Sequence, residues 1–421
     1  DDPAQRRRLV RRARRISRQA RGMAAESGAA AESDDAASDP ELRRAAEKMR
    51  LYNLAMAKLA DRLVAAADAP DPATLEHEIK IVDRSRQKLG HRVTVVSDVI
   101  DTPEGEPAPT VSPPQVAALR WRSAACEADC TPFEPSTARL AYDTSAEQPL
   151  AAAVVAPEGT AQARRVAVFG WDGEAWREQP PVDGSPPSLA AVTGAAYVEE
   201  DDHLLVYGYD GEDDASAWTW DGQTWTPVES GAPSARDGAA MTYQPTTGRV
   251  LLFGGTVRSN EKDSDETFEW DPVTGKWSAF VDATTPSPRH DAAMTTDPRT
   301  GDVVLFGGAG QEPLDDTWRW TGDAWSEIAA DPHPAAGPSS LIGDDERGVV
   351  LLGHTTTGEW QQWSLQDESW TAIDGRVPAD LKDAPATVAV RGPGGGLIVG
   401  GDAEADGEGA SKAVTFDAAT K

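Results

Sequence analysis

The sequence is poor in cysteine, in histidine, in positive charge and in long apolar runs. Its 421 residues hold only two cysteines, Cys126 and Cys130, and six histidines. The segment Cys126-Glu-Ala-Asp-Cys130 offers no second ligand pair, and the nearest histidines are His91 and His203. A structural zinc site is therefore not expected. The pair reads instead as a small disulfide loop, with free thiols as the alternative, and a disulfide requires an oxidising compartment. No run approaches the length of about 18 apolar residues that a membrane-crossing helix needs. Nucleophile-elbow, P-loop and dinucleotide motifs are missing as well. The glycine-rich stretch at 392–396 falls where a hairpin turn is due.

Positive charge is scarce only in part of the chain. The formal net charge is −30, yet residues 1–100 hold 20 Lys/Arg against 16 Asp/Glu, which leaves 20 against 54 in the remainder. Such an acidic remainder repels phosphate backbones, so no nucleic acid partner is expected there.

What is abundant is repetition. Trp176, Trp225, Trp277, Trp325 and Trp370 recur at intervals of 49, 52, 48 and 45 residues. The best copy runs from Pro288-Arg289-His290-Asp291 through Val303-Val304-Leu305-Phe306-Gly307-Gly308 and Asp316-Thr317-Trp318-Arg319-Trp320 to Trp325. The copy before it repeats the pattern from Arg236 to Phe280. Each unit holds four short β-rich runs separated by Gly, Pro, Asp and Thr, which predicts a four-stranded antiparallel sheet. A single such sheet cannot bury both faces, so the units must stack, and a period of about 40–50 residues with four strands predicts a β-propeller. In that arrangement the glycine pair relieves crowding near the axis and the tryptophans wedge between blades.

The recurring Gly-Gly, aromatic strand and spaced Trp resemble the kelch-repeat family, including the propeller of galactose-oxidase-like proteins, over residues of roughly 112–421. The fold class expected is mainly β, a six-bladed kelch-type propeller over 115–421. The sixth unit begins near Ala386, carries Leu397 to Gly401 and Val414 to Asp417, and has no Trp of its own. Residues Val116 to Arg122, with Trp121 about one period before Trp176, are the candidate fourth strand that closes the ring. The alternative is a final Trp beyond residue 421.

Residues 1–100 read as an α-helical module, and the Pro-rich segment 101–114 as a semi-rigid linker. The first helical stretch carries Arg7, Arg8, Arg11, Arg12, Arg14, Arg15 and Arg18. That cluster suits a polyanion, an anionic membrane surface, the flank of a removed membrane segment or an acidic face of another copy of the chain, with a simply solvated basic helix as the alternative. The chain starts at Asp1 rather than Met, which suggests a removed leading segment or a fragment, and together with the cysteine pair predicts an extracytoplasmic setting: periplasm, cell surface or secretion.

The copper oxidases with this propeller need a Tyr, His and Cys cluster at the axis. Both cysteines here precede the first blade and His203, His290, His333 and His354 occupy different blade positions, so no metal and no cofactor are expected. Adjacent Asp172-Gly173 and Asp221-Gly222 read as hairpin turns.

One constellation remains. The connections between second and third strands are acidic: Asp210, Glu212, Asp213 and Asp214; Glu261, Asp263, Asp265 and Glu266; Glu312, Asp315 and Asp316; and Asp402, Glu404, Asp406 and Glu408. Equivalent connections emerge on one side of a propeller, where these groups form a negative face suited to solvation, to a basic partner or to calcium. Arg249, Arg299 and Arg347, between first and second strands, are expected on the other side. Arg236 and Arg289 begin first strands and read as structural or as directed at the channel. The function expected is a non-enzymatic binding and assembly protein. Its partner would be a protein or a surface glycan, and the N-terminal helices would mediate attachment or oligomerisation. A carbohydrate-active enzyme with a site at the channel is the alternative.

Overall fold

The computed structural model describes residues 120–123, 132–133, 137–156, 164–182, 185–199, 201–211, 214–228, 231–280, 284–344, 347–374, 387–392, 395–400 and 412–417. The chain divides into two compact units, 1–112 and 113–421. The helical module with its Arg cluster, the Pro-rich linker, and Cys126 and Cys130 lie outside the described residues.

Six four-stranded antiparallel sheets follow one another in the second unit. Blade one comprises Arg139–Asp143, Gln148–Val155, Arg165–Trp171 and Trp176–Glu178. Blade two comprises Ala191–Val198, His203–Tyr209, Ala215–Trp220 and Trp225–Pro227. Blade three has Ala240–Gln244, Arg249–Phe253, Thr267–Asp271 and Lys276–Phe280. Blade four has Ala293–Thr296, Val303–Phe306, Thr317–Trp320 and Trp325–Glu327. Blade five has Ser339–Asp344, Gly348–His354, Trp360–Gln366 and Ser369–Ala372. Blade six takes Thr387–Gly392, Gly395–Gly400 and Lys412–Asp417 from the end of the chain. Its fourth strand is Arg120–Ser123, paired antiparallel from Arg120 with Asp417 to Ser123 with Val414. The ring is thus closed by a strand from ahead of blade one, as the spacing of Trp121 predicts.

First strands of successive blades lie side by side all the way round, from blade one to blade six and back to blade one. The result is a closed ring with the first strands innermost. Connections from first to second and from third to fourth strands emerge at one end, here the turn end. Connections from second to third strands and between blades emerge at the other, the loop end.

Each blade buries its faces against its neighbours rather than within itself. One cluster joins Ala141, Leu150 and Val168 of blade one to Leu204, Val206 and Trp220 of blade two. Equivalent clusters join blades two and three, three and four, and four and five. The repeated tryptophans are the wedges: Trp277, Trp325 and Trp370 pack their rings 6.2, 5.3 and 6.0 Å from Tyr207, Phe253 and Phe306 of the preceding blade. Trp325 Nε1 donates to Thr267 Oγ1 at 3.0 Å and Trp370 Nε1 to Thr317 Oγ1 at 2.9 Å, again across the blade boundary. Burying some 200 Å² per indole at about 25 cal/mol per Å² gives roughly 5 kcal/mol each before entropy is charged.

The glycine pairs have a sharper reason than general crowding. Gly254, Gly255, Gly307 and Gly308 have φ of 69°, 89°, 61° and 90°, in the left-handed region. A Cβ on Gly254 would lie 2.6 Å from the Arg289 carbonyl oxygen, and one on Gly308 2.6 Å from that of His290. The second strand therefore turns away against the backbone of the inter-blade connection, where no side chain fits.

One element is not foreshadowed by the repeat. In blade three the long second-to-third connection folds into a hairpin, Thr256–Val257 with Lys262–Asp263, which pairs with Arg236–Asp237 in a separate three-stranded sheet.

Candidate functional site

The acidic connections divide into anchors and tips. Arg289 is fully buried and donates from Nη1 and Nη2 to Asp316 Oδ1 and Oδ2 at 2.6 and 2.7 Å, to the Gly307 carbonyl at 3.0 Å and to Ser287. Arg236 repeats the arrangement one blade earlier, donating to Glu266 Oε2 at 3.1 Å, to the Gly254 carbonyl at 3.0 Å and to Ser234. These arginines are struts that hold each second-to-third connection against the inter-blade segment, and neither points at a channel ligand. Burial raises the Asp316 carboxyl, but the bonds from Arg289 and Trp318 outweigh it and hold the pKa below the ordinary value. Asp316 is thereby committed to the fold, whereas Glu266 bonds Arg236 while its own side chain stays 54% exposed. Asp214, Glu261, Asp265, Glu312 and Asp315 remain exposed at the tips, and Asp210 is half-buried. Glu212 and Asp213, with Asp402, Glu404, Asp406 and Glu408, lie outside the described residues.

Near the axis at the loop end the structure assembles a polar cluster from four blades. Tyr209 ends the second strand of blade two and donates its hydroxyl to Asp237 Oδ1 at 2.8 Å. Arg258, on the blade-three hairpin, lies with Cζ 4.3 Å from the Tyr209 ring centre and reaches the Tyr209 hydroxyl at 3.1 Å and Asp237 Oδ2 at 3.2 Å. Burial, then the bond to Asp237, raises the Tyr209 pKa, so the phenol stays a donor. On the same hairpin Asp263 Oδ1 accepts from Thr256 Oγ1 at 2.7 Å and lies 2.9 Å from His290 Nδ1. A carboxylate only accepts, so Nδ1 carries the proton. His290 Nε2 faces Asp291 Oδ2 at 4.0 Å, and Asp291 is 72% exposed. Arg139 of blade one donates to the Thr193 carbonyl of blade two at 3.2 Å. Burial lowers its pKa against the charges of Asp291, Asp237 and Tyr209.

Sequence reading singled out only Asp263 of this cluster as a site residue. One signal was length: blade three spends residues 254–266 between its second and third strands where blade four spends 307–316. Tyr209 also stands where blades three and four carry the second glycine of the pair.

At the turn end the expected contrast of charge does not arise. Arg249 faces Glu269 and Asp271, each at 3.7 Å, Arg299 meets Asp367 at 3.1 Å, and Arg347, buried, meets Asp344 at 3.4 Å. Each arginine is balanced by a carboxylate of its own end, so these residues do not make a positive face. Asp172 and Asp221 cap hairpin turns: Asp172 Oδ1 accepts from the backbone N–H groups of Glu174 and Ala175, and Asp221 Oδ1 from those of Gln223 and Thr224. The backbone bonds from Ala175 and Glu174, with that from Arg177, hold the Asp172 pKa at about 2. Between these turns the axis opens into a cavity of about 220 Å³ lined by first-strand residues of all six blades. Among the described residues no group of three or more His, Cys, Asp or Glu is placed to hold a metal ion.

The described strands define the class of this chain, a six-bladed β-propeller. No protein-family model matches it. Among solved structures it is similar to SapL1 lectin, crystallised with alpha methyl fucoside, at 16% identity and a TM-score of 0.42, over 63% of this chain and 87% of that one. It is similar to the fungal Aleuria aurantia lectin, described with a six-bladed β-propeller fold and a novel fucose recognition mode, at 14% identity and a TM-score of 0.42, over 68% and 98%. A chain of the mitotic checkpoint complex is similar at 13% identity and a TM-score of 0.42, over 75% and 95%. The six-bladed ring rests on its own strand pairing and not on these likenesses.

Proposed function

We propose that this chain is a non-enzymatic binding protein of the kelch type. Its propeller is a rigid scaffold, and the recognition surface is the loop end around Tyr209, Asp237, Arg258, Asp263, His290 and Asp291. The observation that supports this reading is the Arg258, Tyr209 and Asp237 assembly. The blade-three hairpin, of which blade four has a shorter version in the bridges His290 to Ala309 and Ala309 to Pro313, brings a guanidinium, a phenol and a carboxylate from two blades together beside a partly exposed Asp–His pair. Mixed donors and acceptors on fixed backbone suit a polar ligand, a surface glycan or a protein partner. The exposed acidic tips extend that surface outward.

The test is a screen of the full chain against arrayed glycans and arrayed peptides, repeated with Asp237→Asn and Arg258→Ala. Ligands of the wild type are expected to drop out with both variants while the melting temperature holds. Ligands that survive both substitutions would sink the loop-end reading. The channel-enzyme alternative draws on the Asp263–His290 pair: turnover of a bound glycan that stops in His290→Ala would favour it. The extracytoplasmic setting rests on the Cys126 and Cys130 spacing, and alkylation of the unreduced chain followed by mass analysis checks it. The assembly role of the Arg cluster is checked by native mass across a salt series, beside a chain beginning at Pro113; a monomeric mass for both chains would end that idea.

A further inference from the structure

Blades three and four enter their first strands through equivalent runs, Arg236-Asp237-Gly238 and Arg289-His290-Asp291, so Asp291 stands where blade three has glycine. Both positions are left-handed, with φ of 63° at Gly238 and 53° at Asp291. The Asp291 N–H donates to the Gly238 carbonyl at 2.8 Å, and a Cβ on Gly238 would lie 2.6 Å from Asp291 Oδ1. Glycine in blade three thus leaves room for the carboxylate of blade four. Beside it, His290 donates from Nδ1 to Asp263, which leaves Nε2 of the neutral ring as an acceptor. Nε2 and Asp291 Oδ2 are 4.0 Å apart, too far to bond each other. Among the described residues no N–H or O–H is bonded to the Asp291 carboxylate, which is 72% exposed. The neighbouring cations have other bonds: Arg258 donates to Asp237 and Tyr209, and Arg139, whose charge Asp291 favours from blade four, donates to the Thr193 and Ala138 carbonyls.

We propose that this acceptor pair receives the ammonium of a lysine side chain on a basic protein segment, an assignment that rests on the loop-end recognition surface proposed above. A nitrogen about 2.8 Å from both acceptors sees them about 90° apart, near the roughly 109° between two N–H bonds of an ammonium. A hydroxyl has one proton and satisfies only one of the two. A guanidinium presents parallel N–H bonds that fit the two oxygens of a single carboxylate. The charge on Asp291 favours a cation over a neutral amide. Glu261 and Asp265 on one side and Glu312 and Asp315 on the other are exposed, and Lys262 is the one exposed cation on those two connections. That surround draws a basic segment rather than an isolated amine.

The experiment is a fluorescence anisotropy titration of the full chain with a dye-labelled, capped Gly-Ser peptide carrying three lysines. The same peptide with arginines, the same with Nε-acetyl-lysines, and n-butylamine as a competitor are run beside it. Expected are saturable binding of the lysine peptide, an affinity about fivefold lower for the arginine peptide, no saturation by the acetylated peptide, and displacement by butylamine only in large excess. Asp291→Asn, which tolerates the left-handed backbone, and His290→Gln should each weaken lysine binding about tenfold with the melting temperature held. The comparison of peptides on the wild type stands whether or not a variant folds. Lysine peptide bound no better than arginine peptide, or equally well by both folded variants, would show attraction by the acidic tips alone and overturn the proposal. Butylamine competing at concentrations equal to the peptide's would overturn the protein partner. Ligands that bind through Asp237 and Arg258 while no lysine peptide saturates would remove the lysine site and leave the loop-end surface standing.

Discussion

Arg289 shows how a residue that looks like a ligand group is consumed by the fold. Its side-chain bonds go to one connection and the segment beside it, and its guanidinium has no exposure to solvent. Replacing it with methionine strands Asp316 and the Gly307 carbonyl, and is expected to cost about 3–5 kcal/mol by urea denaturation. Asp316 gives the matching pH dependence. Its folded pKa lies below the ordinary aspartate value, so its contribution is present above that value and is lost as pH falls through the folded one. Asp316→Asn should therefore be less stable than wild type at pH near 7, with the gap narrowing steadily in denaturation curves taken at progressively lower pH. Glu269 runs the other way: burial, opposed by Arg249, raises its pKa, so it favours the folded state less once pH rises above the unfolded value.

At the scale of elements, the Gly pair of blades three and four and the Trp wedge of blades one to five were legible in the sequence because both are local demands that recur at the blade period. Gly308→Ala places a methyl 2.6 Å from the His290 carbonyl at φ of 90°, and is expected to destabilise by roughly 2–3 kcal/mol in thermal melts. Gly173→Ala, with φ of 102° but nothing within 4 Å, should cost less, since only the backbone conformation is strained. The blade-three hairpin was not legible. Its strands are two residues each, too short for a period of two to register, and it is held by pairing to Arg236–Asp237 across the chain. The acidic connections were found as a composition and not as roles. Sequence does not reveal that Glu266 and Asp316 close onto buried arginines while Glu261 and Asp315 stay in water.

At the scale of the molecule, closure is the property with the largest consequence. The fourth strand of blade six comes from residues 120–123, so both ends of the ring are tied by one antiparallel pairing. A chain beginning at Pro113 keeps every strand of the ring and is expected to melt in one cooperative transition. A chain beginning at Ala124 leaves the edge at Lys412–Asp417 unpaired, and should melt at a markedly lower temperature and associate through that edge in sedimentation experiments. Melting at the same temperature would show that closure contributes little.

The sequence alone determined the repeat, the number of blades and the closing strand, because strand periodicity, turn residues and indole spacing act over a few residues and recur. The tertiary structure decided which charges are spent as struts and which face water. It also decided that Tyr209, Asp237 and Arg258 meet. Those outcomes depend on groups tens of residues apart arriving at one axis, and a linear pattern carries no record of distance across a closed ring.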